Sequence, residues 1–209
     1  MNRLIIIADI IDSRNLPDRA RVQRDLESIL NGLNQQKEGL LSPYTITLGD
    51  EFQAVLSSAD RVFADLLAIR AAVYPVRLRF ALSLGALTTP VNHQQAIGMD
   101  GPAFHAARES IEYLKQGDHE LALAGDFSGQ PLDLINSTLH LLDRHWQSWQ
   151  ANRLVILHRL LQGDTVATLA TSLKISEQAV YKNIRQGGLD DVTQSIQTLT
   201  RYLDAALAE

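Results

Sequence analysis

The sequence predicts an α/β (α+β) domain with a ferredoxin-like palm arrangement, followed by an all-α domain that contains a helix-turn-helix. Up to about residue 125, segments with the two-residue alternation of strands take turns with segments of helical periodicity. After Gly129 only helical periodicity remains. We therefore place the boundary at about residues 125–131, which divides the chain into a palm domain, 1–127, and a helix-turn-helix domain with a C-terminal helix, 128–209.

The first domain begins with the apolar run of residues 4–8, which is typical of a central strand buried on both faces. Pro17 is expected to open a helix, and Ser58 to cap a second helix that ends near Pro75. This order of elements, with one further helix and strand, is that of a ferredoxin-like or palm arrangement. The other predicted elements are hairpin strands at 44–48 and 52–56, a strand at 78–84, a loop at 88–99, a helix at 101–115 and a strand at 119–124.

Composition excludes several classes of protein. Hydrophobic residues make up 45% of the 209 residues and charged residues 21%, which is the composition of a globular protein rather than of a disordered one. The chain has no cysteine, so it has neither disulfides nor thiolate metal sites, and we expect a reducing, cytoplasmic location. No apolar run reaches the length of a membrane span. The net charge of -5 means that any contact with nucleic acid must be local.

Two acidic turns are the first candidate site. Asp9 follows the first strand, and Asp50 lies at the tip of the predicted hairpin. If the first strand lies beside this hairpin, the two carboxylates meet and repel each other unless a cation such as Mg²⁺ or Mn²⁺ joins them. Gly49 would let the backbone approach a phosphate closely, and Arg14 could form forked hydrogen bonds to phosphate oxygens. The alternative is purely structural, because Asp is common as a helix cap and in hairpin turns.

Three short segments carry a resemblance to known families. Residues 5–10, IIIADI, resemble the first metal-binding strand of class III nucleotidyl cyclases. Residues 48–52, LGDEF, resemble the hairpin of cyclases and of GGDEF-type diguanylate cyclases, and residues 101–108 are similar to the cyclase helix that brings an Asn and an Arg to the phosphates. Over nearly its whole length the chain most closely resembles the SatD family, whose order its segments DIIDSR, GDEFQ and GMDGPAF follow.

The resemblance implies that a nucleoside triphosphate binds with its divalent metal, Mg²⁺ or Mn²⁺, at Asp9 and Asp50. It also implies that the Ile10 carbonyl and the turn after it lie near the phosphates, which Arg108 faces. Phe104 stands where the cyclases carry their Asn, so the resemblance favours nucleotide binding over cyclisation. The predicted nucleotide-binding residues are Ile10, Asp12, Ser13, Arg14, Gly49, Glu51 and Arg108.

The second candidate site is a helix-turn-helix at residues 165–186, in which Thr165 and Ser176 cap the two helices around a turn at Lys174. Its second helix resembles the recognition helices of small phage repressors and of sigma-factor region-4-like domains. The polar side chains that this helix turns outward suit the major groove of double-stranded DNA. The alternative is a helical bundle that uses the same turn only to pack or to bind protein. The predicted DNA-binding residues are Ser176, Gln178, Tyr181, Lys182 and Arg185.

The last helix and the sites together suggest a function. Apolar residues from Val192 to Ala206 follow a heptad spacing, which fits either packing on the helix-turn-helix or a homodimer. We expect a DNA-binding transcriptional regulator whose palm domain binds a divalent metal and a nucleotide. One alternative is a nucleotidyl cyclase-like enzyme with a helical oligomerisation tail. The other is a protein-interaction module that has lost both activities.

Overall fold

The fold was derived from a computed structural model, which describes residues 2–125, 127 and 131–208. Within these ranges the chain forms five strands, eight α-helices and one short 3-10 helix at Ser13–Asn15. The strands are β1 Arg3–Ile10, β2 Leu40–Ile46, β3 Glu51–Leu56, β4 Leu78–Gly85 and β5 Leu121–Gly125. The α-helices are α1 Arg19–Gln35, α2 Val62–Ala72, α3 Pro102–Lys115, α4 Leu132–Gln147, α5 Ala151–Leu161, α6 Val166–Leu173, α7 Glu177–Gly187 and α8 Leu189–Leu207.

The five strands form one mixed sheet in the order β2-β3-β1-β4-β5. The central strand β1 runs antiparallel to both β3 and β4, and β5 is parallel to β4. The mixed α/β class predicted for this part of the chain is confirmed. The first strand lies beside the hairpin, which is the condition under which the two acidic turns meet.

The two faces of the sheet are covered by different helices. Alternate residues of β1 beginning with Leu4 face α1 and α2 and belong to the main hydrophobic core. The residues between them, including Ile5 and Ile7, pack against α3 in a second, smaller core. Because side chains alternate along a strand, Asp9 projects on the same face as Ile5 and Ile7, toward α3.

The outer edge of β5 is covered by a side chain of α4. The Oδ1 atom of Asn136 accepts a hydrogen bond from the Leu123 N–H at 2.9 Å, and its Nδ2 atom donates to the Leu123 carbonyl at 2.8 Å. One amide side chain therefore satisfies the donor and the acceptor that an additional strand would otherwise bind.

The helical second part of the chain shares the main core with the sheet. Leu154 and Leu157 of α5 belong to the same apolar cluster as Phe63 and Leu66 of α2. The predicted boundary between residues 127 and 128 therefore does not coincide with a break between two hydrophobic cores, and the two-domain division stays a prediction. None of the helices in the described ranges is long and apolar enough to cross a membrane.

A buried ionic network strengthens this connection. Arg70 of α2 forms ion pairs with Asp143 of α4 at 2.8 Å and with Glu120 at 3.0 Å, and all three side chains are buried. The Arg70 guanidinium also lies 5.5 Å from the centroid of the Phe80 ring and 5.7 Å from that of Trp146. Sheet, α2 and α4 are thus joined by charge-assisted hydrogen bonds as well as by apolar contact.

Three predicted element boundaries in the first part of the chain were wrong. Helix α1 begins after Asp18, whose carboxylate accepts the Arg21 N–H, so Pro17 lies outside it. Ser58 does not cap α2, because the helix starts only at Val62 and Arg61 occupies its N-cap position, while the Asp204 carboxylate of α8 accepts the Ala59 N–H at 2.6 Å. Strand β2 occupies Leu40–Ile46 rather than residues 44–48. The start of α1 is set by a local cap, whereas β2 follows from its pairing with β3.

The predicted helix-turn-helix segment forms two helices, α6 and α7, joined by three residues. The Thr165 side chain accepts the Thr168 N–H and the Ser176 side chain accepts the Ala179 N–H, so both predicted caps are present. Lys174 adopts the left-handed conformation with φ 54°, which glycine more often occupies at the end of a helix.

The apolar seam of α8 is buried within the same chain. Its members belong to the main core, and they are Val192, Ile196, Leu199, Leu203 and Ala206. Of the two interpretations of this heptad spacing, intramolecular packing is therefore the one that the structure shows. A homodimer would need a different surface.

Candidate metal and nucleotide site

The pairing of β1 with β3 brings the two acidic turns to one end of the sheet. Asp9 lies opposite Glu51 in the strand register, and the Ile10 N–H donates to the Asp50 carbonyl at 3.0 Å. Asp50 directly precedes β3, so its side chain projects from the turn rather than from the sheet. The expected proximity of Asp9 and Asp50 follows from these backbone hydrogen bonds.

Asp9 has an incompletely satisfied carboxylate. The residue is only 9% exposed, and its Oδ2 atom accepts a hydrogen bond from Arg79 Nη1 at 3.3 Å. The Oδ1 atom is buried and has no hydrogen-bond partner among the described residues. Burial raises the pKa of Asp9 above its ordinary value, and Asp50 adds to this, whereas Arg79 and Lys115 act in the opposite direction. The ionised carboxylate is therefore held in an environment that does not fully neutralise it.

The donor set at this edge fits a hard divalent cation. The free Oδ1 atom of Asp9 is a carboxylate oxygen, the kind of ligand that Mg²⁺ prefers, and Asp50 would supply a second carboxylate. Within the described residues there is no group of three or more potential ligands drawn from His, Cys, Asp and Glu. Two carboxylates nevertheless suffice for Mg²⁺ when phosphate oxygens and water complete its shell.

The residues of the two turns differ in how they are placed relative to Asp50. Ser13 donates its hydroxyl to Asp50 Oδ2, so this residue lies inside the site. Asp12 and Arg14, on either side of Ser13, are exposed. Gly49 has φ 76°, and a Cβ atom there would lie 3.6 Å from the Arg19 guanidinium. The glycine is thus favoured by the left-handed turn, and the Arg19 side chain lies beside it.

A cavity of about 870 Å³ opens between α3 and the sheet. Ile7, Glu51 and Gln53 line it from the sheet, and Arg108 lines it from α3. Arg108 and Glu51 therefore line the same cavity. The cation that contacts Asp9, however, is Arg79 and not Arg108. Three exposed apolar side chains also line this cavity, and they are Leu48, Ile97 and Tyr113.

A family model for the SatD family matches residues 3–197 of the sequence, which is most of the chain. The chain belongs to the SatD family. No curated protein matches it. Two solved structures, each of a bacterial light-regulated adenylyl cyclase, are similar with 19% and 18% sequence identity and a TM-score of 0.44. In both comparisons 59% of this chain is covered, and it spans 43% of the length of the cyclase chain.

Phe104 of this SatD family member is a core residue. It is fully buried and packs in the smaller core with Ile5 and Ile7, and the Arg108 guanidinium lies 6.0 Å from the centroid of its ring. The position at which the sequence resemblance predicted a polar Asn is therefore part of the apolar packing here. It cannot offer a hydrogen bond to a reacting phosphate.

Two basic residues of the site were missed from the sequence. Arg79 lies opposite Asp9 in the register of β1 and β4, and Lys115 at the end of α3 is close enough to lower the pKa of Asp9. Lys115 is itself paired with Glu112 at 2.6 Å. Arg79 is a charged residue near the start of an otherwise apolar strand, which marks it as unusual but does not indicate that Asp9 is its partner.

The outward face of α7 in this SatD family protein is exposed as expected. Val180 and Ile184 are buried in the main core, so the opposite side of the helix is free. All five predicted DNA-binding residues are exposed, and they are Ser176, Gln178, Tyr181, Lys182 and Arg185. From residue 129 onward there are seven Lys and Arg against eight Asp and Glu, so this face carries its positive charge only locally.

Proposed function

We propose that this SatD family protein binds a nucleoside triphosphate or a related nucleotide together with one divalent cation, Mg²⁺ or Mn²⁺, held by Asp9 and Asp50. The observation that carries this proposal is the buried Oδ1 atom of Asp9, which has no partner among the described residues and lies beside the second acidic turn. An unpartnered buried carboxylate oxygen is costly, and a cation would offset that cost.

The surroundings of the two carboxylates suit a phosphate chain. Ser13, Arg79 and Arg108 offer donors at the edge of the sheet and in the adjoining cavity. A volume of about 870 Å³ is within the range of small-molecule sites, and its mixture of apolar and amide-bearing side chains can hold a base and a sugar. When bound, the metal would neutralise phosphate charge, and the residues of the chain would orient the ligand.

Binding rather than turnover is the function that these residues favour. Catalysis requires groups that stabilise the transition state more than the bound substrate, and Phe104 is apolar and buried where such a group would stand. We therefore expect slow or absent turnover. The competing function is a nucleotidyl cyclase-like enzyme, which the metal carboxylates alone would also permit.

The first prediction concerns metal-dependent binding. Titration calorimetry with each of the four nucleoside triphosphates should show binding in Mg²⁺ or Mn²⁺ and none in a chelator. Asp50→Asn should remove binding, because it takes away one of two metal carboxylates, whereas Asp25→Asn, which changes an exposed carboxylate of α1, should bind as wild type does. Absence of binding with every nucleotide and both ions would refute the proposal. Rapid formation of a cyclic product would instead establish the enzyme.

We further propose that α7 contacts double-stranded DNA, which would make the protein a nucleotide-responsive transcriptional regulator. The supporting observation is the capped α6-turn-α7 arrangement, whose second helix exposes Gln178, Lys182 and Arg185 side by side. Because the helical segment has no basic excess, one copy should bind weakly, and two copies on one duplex would be needed for useful affinity. A protein-binding role for the same face is the alternative.

The second prediction tests this contact. Lys182→Ala or Arg185→Ala should weaken duplex binding and lower the slope of log affinity against log salt by about one if the lost contact is to a phosphate. Lys37→Ala, which removes an equal charge from an exposed position in the first part of the chain, should leave the slope unchanged. Selection of bound genomic fragments, with and without nucleotide, measures specificity. If no sequence is enriched and the variants match wild type, α7 does not bind DNA.

A further inference from the structure

Arg79 occupies an unusual place in the candidate site. It is the second residue of β4 and lies directly opposite Asp9 in the strand register, with Nη1 3.3 Å from Asp9 Oδ2. Its side chain is 16% exposed, so the ion pair is largely shielded from water. One oxygen of the carboxylate expected to bind metal is therefore already held by a cation that belongs to the chain.

A divalent cation that binds Asp9 alone would meet the charge of Arg79 within a few ångströms. Like charges at such a distance repel strongly where water is partly excluded. Lys115, which is electrostatically coupled to Asp9, adds to this repulsion, although its Nζ is paired with Glu112. Binding of the metal without an anion should consequently be weak.

We propose that Arg79 is a placeholder for the metal: it holds Asp9 through Oδ2 in the ligand-free protein, turns away from the carboxylate when the divalent cation binds it, and then binds an oxygen of the phosphate that arrives with the metal. The inference rests on the proposed metal and nucleotide site and assigns Arg79 a positioning role within it. It makes metal and phosphate bind cooperatively, since each removes an electrostatic obstacle to the other.

The chemistry of arginine suits this exchange. Its guanidinium is always charged and presents several N–H donors in one plane, so it can hold a carboxylate in one state and a phosphate in the other. Lys115 is less suited to the exchange, because Glu112 already binds its ammonium at 2.6 Å.

The test compares two probes, Mn²⁺ alone and the preformed complex of Mn²⁺ with inorganic triphosphate. Free Mn²⁺ is counted by electron paramagnetic resonance, and binding of the complex is measured by calorimetry. Arg79→Gln should bind Mn²⁺ alone about tenfold more tightly than wild type and the complex about tenfold more weakly, within the usual range of coupling between sites. Arg79→Lys, which keeps the charge, should bind Mn²⁺ alone as weakly as wild type.

The control variant is Arg77→Gln, which removes a positive charge two residues away that pairs with Glu120 instead of Asp9. It should change neither affinity, and melting curves confirm that each variant is folded. If Arg79→Gln binds Mn²⁺ alone no more tightly than wild type while wild type binds the complex, the placeholder role is wrong and the metal site stands. If wild type binds neither probe under any condition, the proposed site itself is wrong, and the inference falls with it.

Discussion

Asp143→Ala is expected to lower the free energy of unfolding by about 3–5 kcal/mol, the usual effect of removing one partner of a buried ion pair. The Asp143 carboxylate is fully buried and binds Arg70 Nη2 at 2.8 Å, the Glu120 N–H at 2.7 Å and Gln147 Nε2 at 3.1 Å. Alanine would leave these donors without their partner in the interior. The cost is high because Arg70 would keep only Glu120 as a partner, and neither its Nη2 donor nor the Glu120 N–H can reach water without opening the surrounding packing.

Urea unfolding measures this effect with two probes. Trp146 lies 5.7 Å from the Arg70 guanidinium, so tryptophan fluorescence reports on the network, and far-ultraviolet circular dichroism reports on the whole chain. Arg144→Ala, at the next and exposed position of α4, should change stability by no more than about 0.5 kcal/mol. A loss below about 1 kcal/mol for Asp143→Ala would contradict the role given to the network. Transitions that separate between the two probes would show that the helical segment unfolds on its own.

Asp9→Asn is expected to abolish metal-dependent nucleotide binding and yet to stabilise the ligand-free protein. The loss of affinity should exceed about a hundredfold, because a carboxylate that binds the metal directly matters more than its outer-shell partners, which alone contribute 10–100-fold. The gain in stability follows from the pKa of Asp9, which burial raises above its ordinary value. Ionised Asp9 therefore opposes folding at neutral pH, and a neutral amide of the same shape does not.

The stability difference between Asp9→Asn and the wild type is expected to depend on pH. As pH rises from the ordinary pKa of an aspartate, 3.8, through the raised pKa of folded Asp9, the wild type loses stability that the protonated carboxyl had contributed. The advantage of Asp9→Asn in thermal melts should hence be largest at neutral pH and shrink as pH falls. Asp25→Asn, which changes a surface carboxylate of α1, is the control variant. A lower melting temperature for Asp9→Asn at neutral pH would mean that its contact with Arg79 outweighs the cost of burial.

The central part of the fold and the meeting of Asp9 with Asp50 could be predicted from the sequence. Residues 4–8 are uniformly apolar, which predicted a strand buried on both faces, and the palm arrangement predicted that the hairpin lies beside this strand, with its turn next to Asp9. The helix caps at Thr165 and Ser176 could also be predicted from the sequence, because each involves only a hydrogen bond to the residue three positions later.

The cations of the site and the shared core could not be predicted in the same way. Arg79 reaches Asp9 only through the pairing of β4 with β1, and strand order between distant segments is not encoded in either strand alone. Likewise, the heptad spacing of α8 predicts an apolar face but not the surface on which it packs. That surface belongs to the main core of the same chain. Asp204 illustrates the point further, because its contact with Ala59 joins segments 145 residues apart.

The contact between Asn136 and Leu123 also limits how molecules of this protein can associate. An open strand edge recruits strands from other chains, which leads to extended intermolecular sheets and aggregation. At the middle of β5, an approaching chain would find the backbone donor and acceptor of Leu123 already bound to the Asn136 amide and α4 lying alongside. The Asn136 amide thus binds the same two backbone groups of Leu123 that a neighbouring strand would bind. Joining of two copies through the middle of this edge of the sheet is therefore disfavoured.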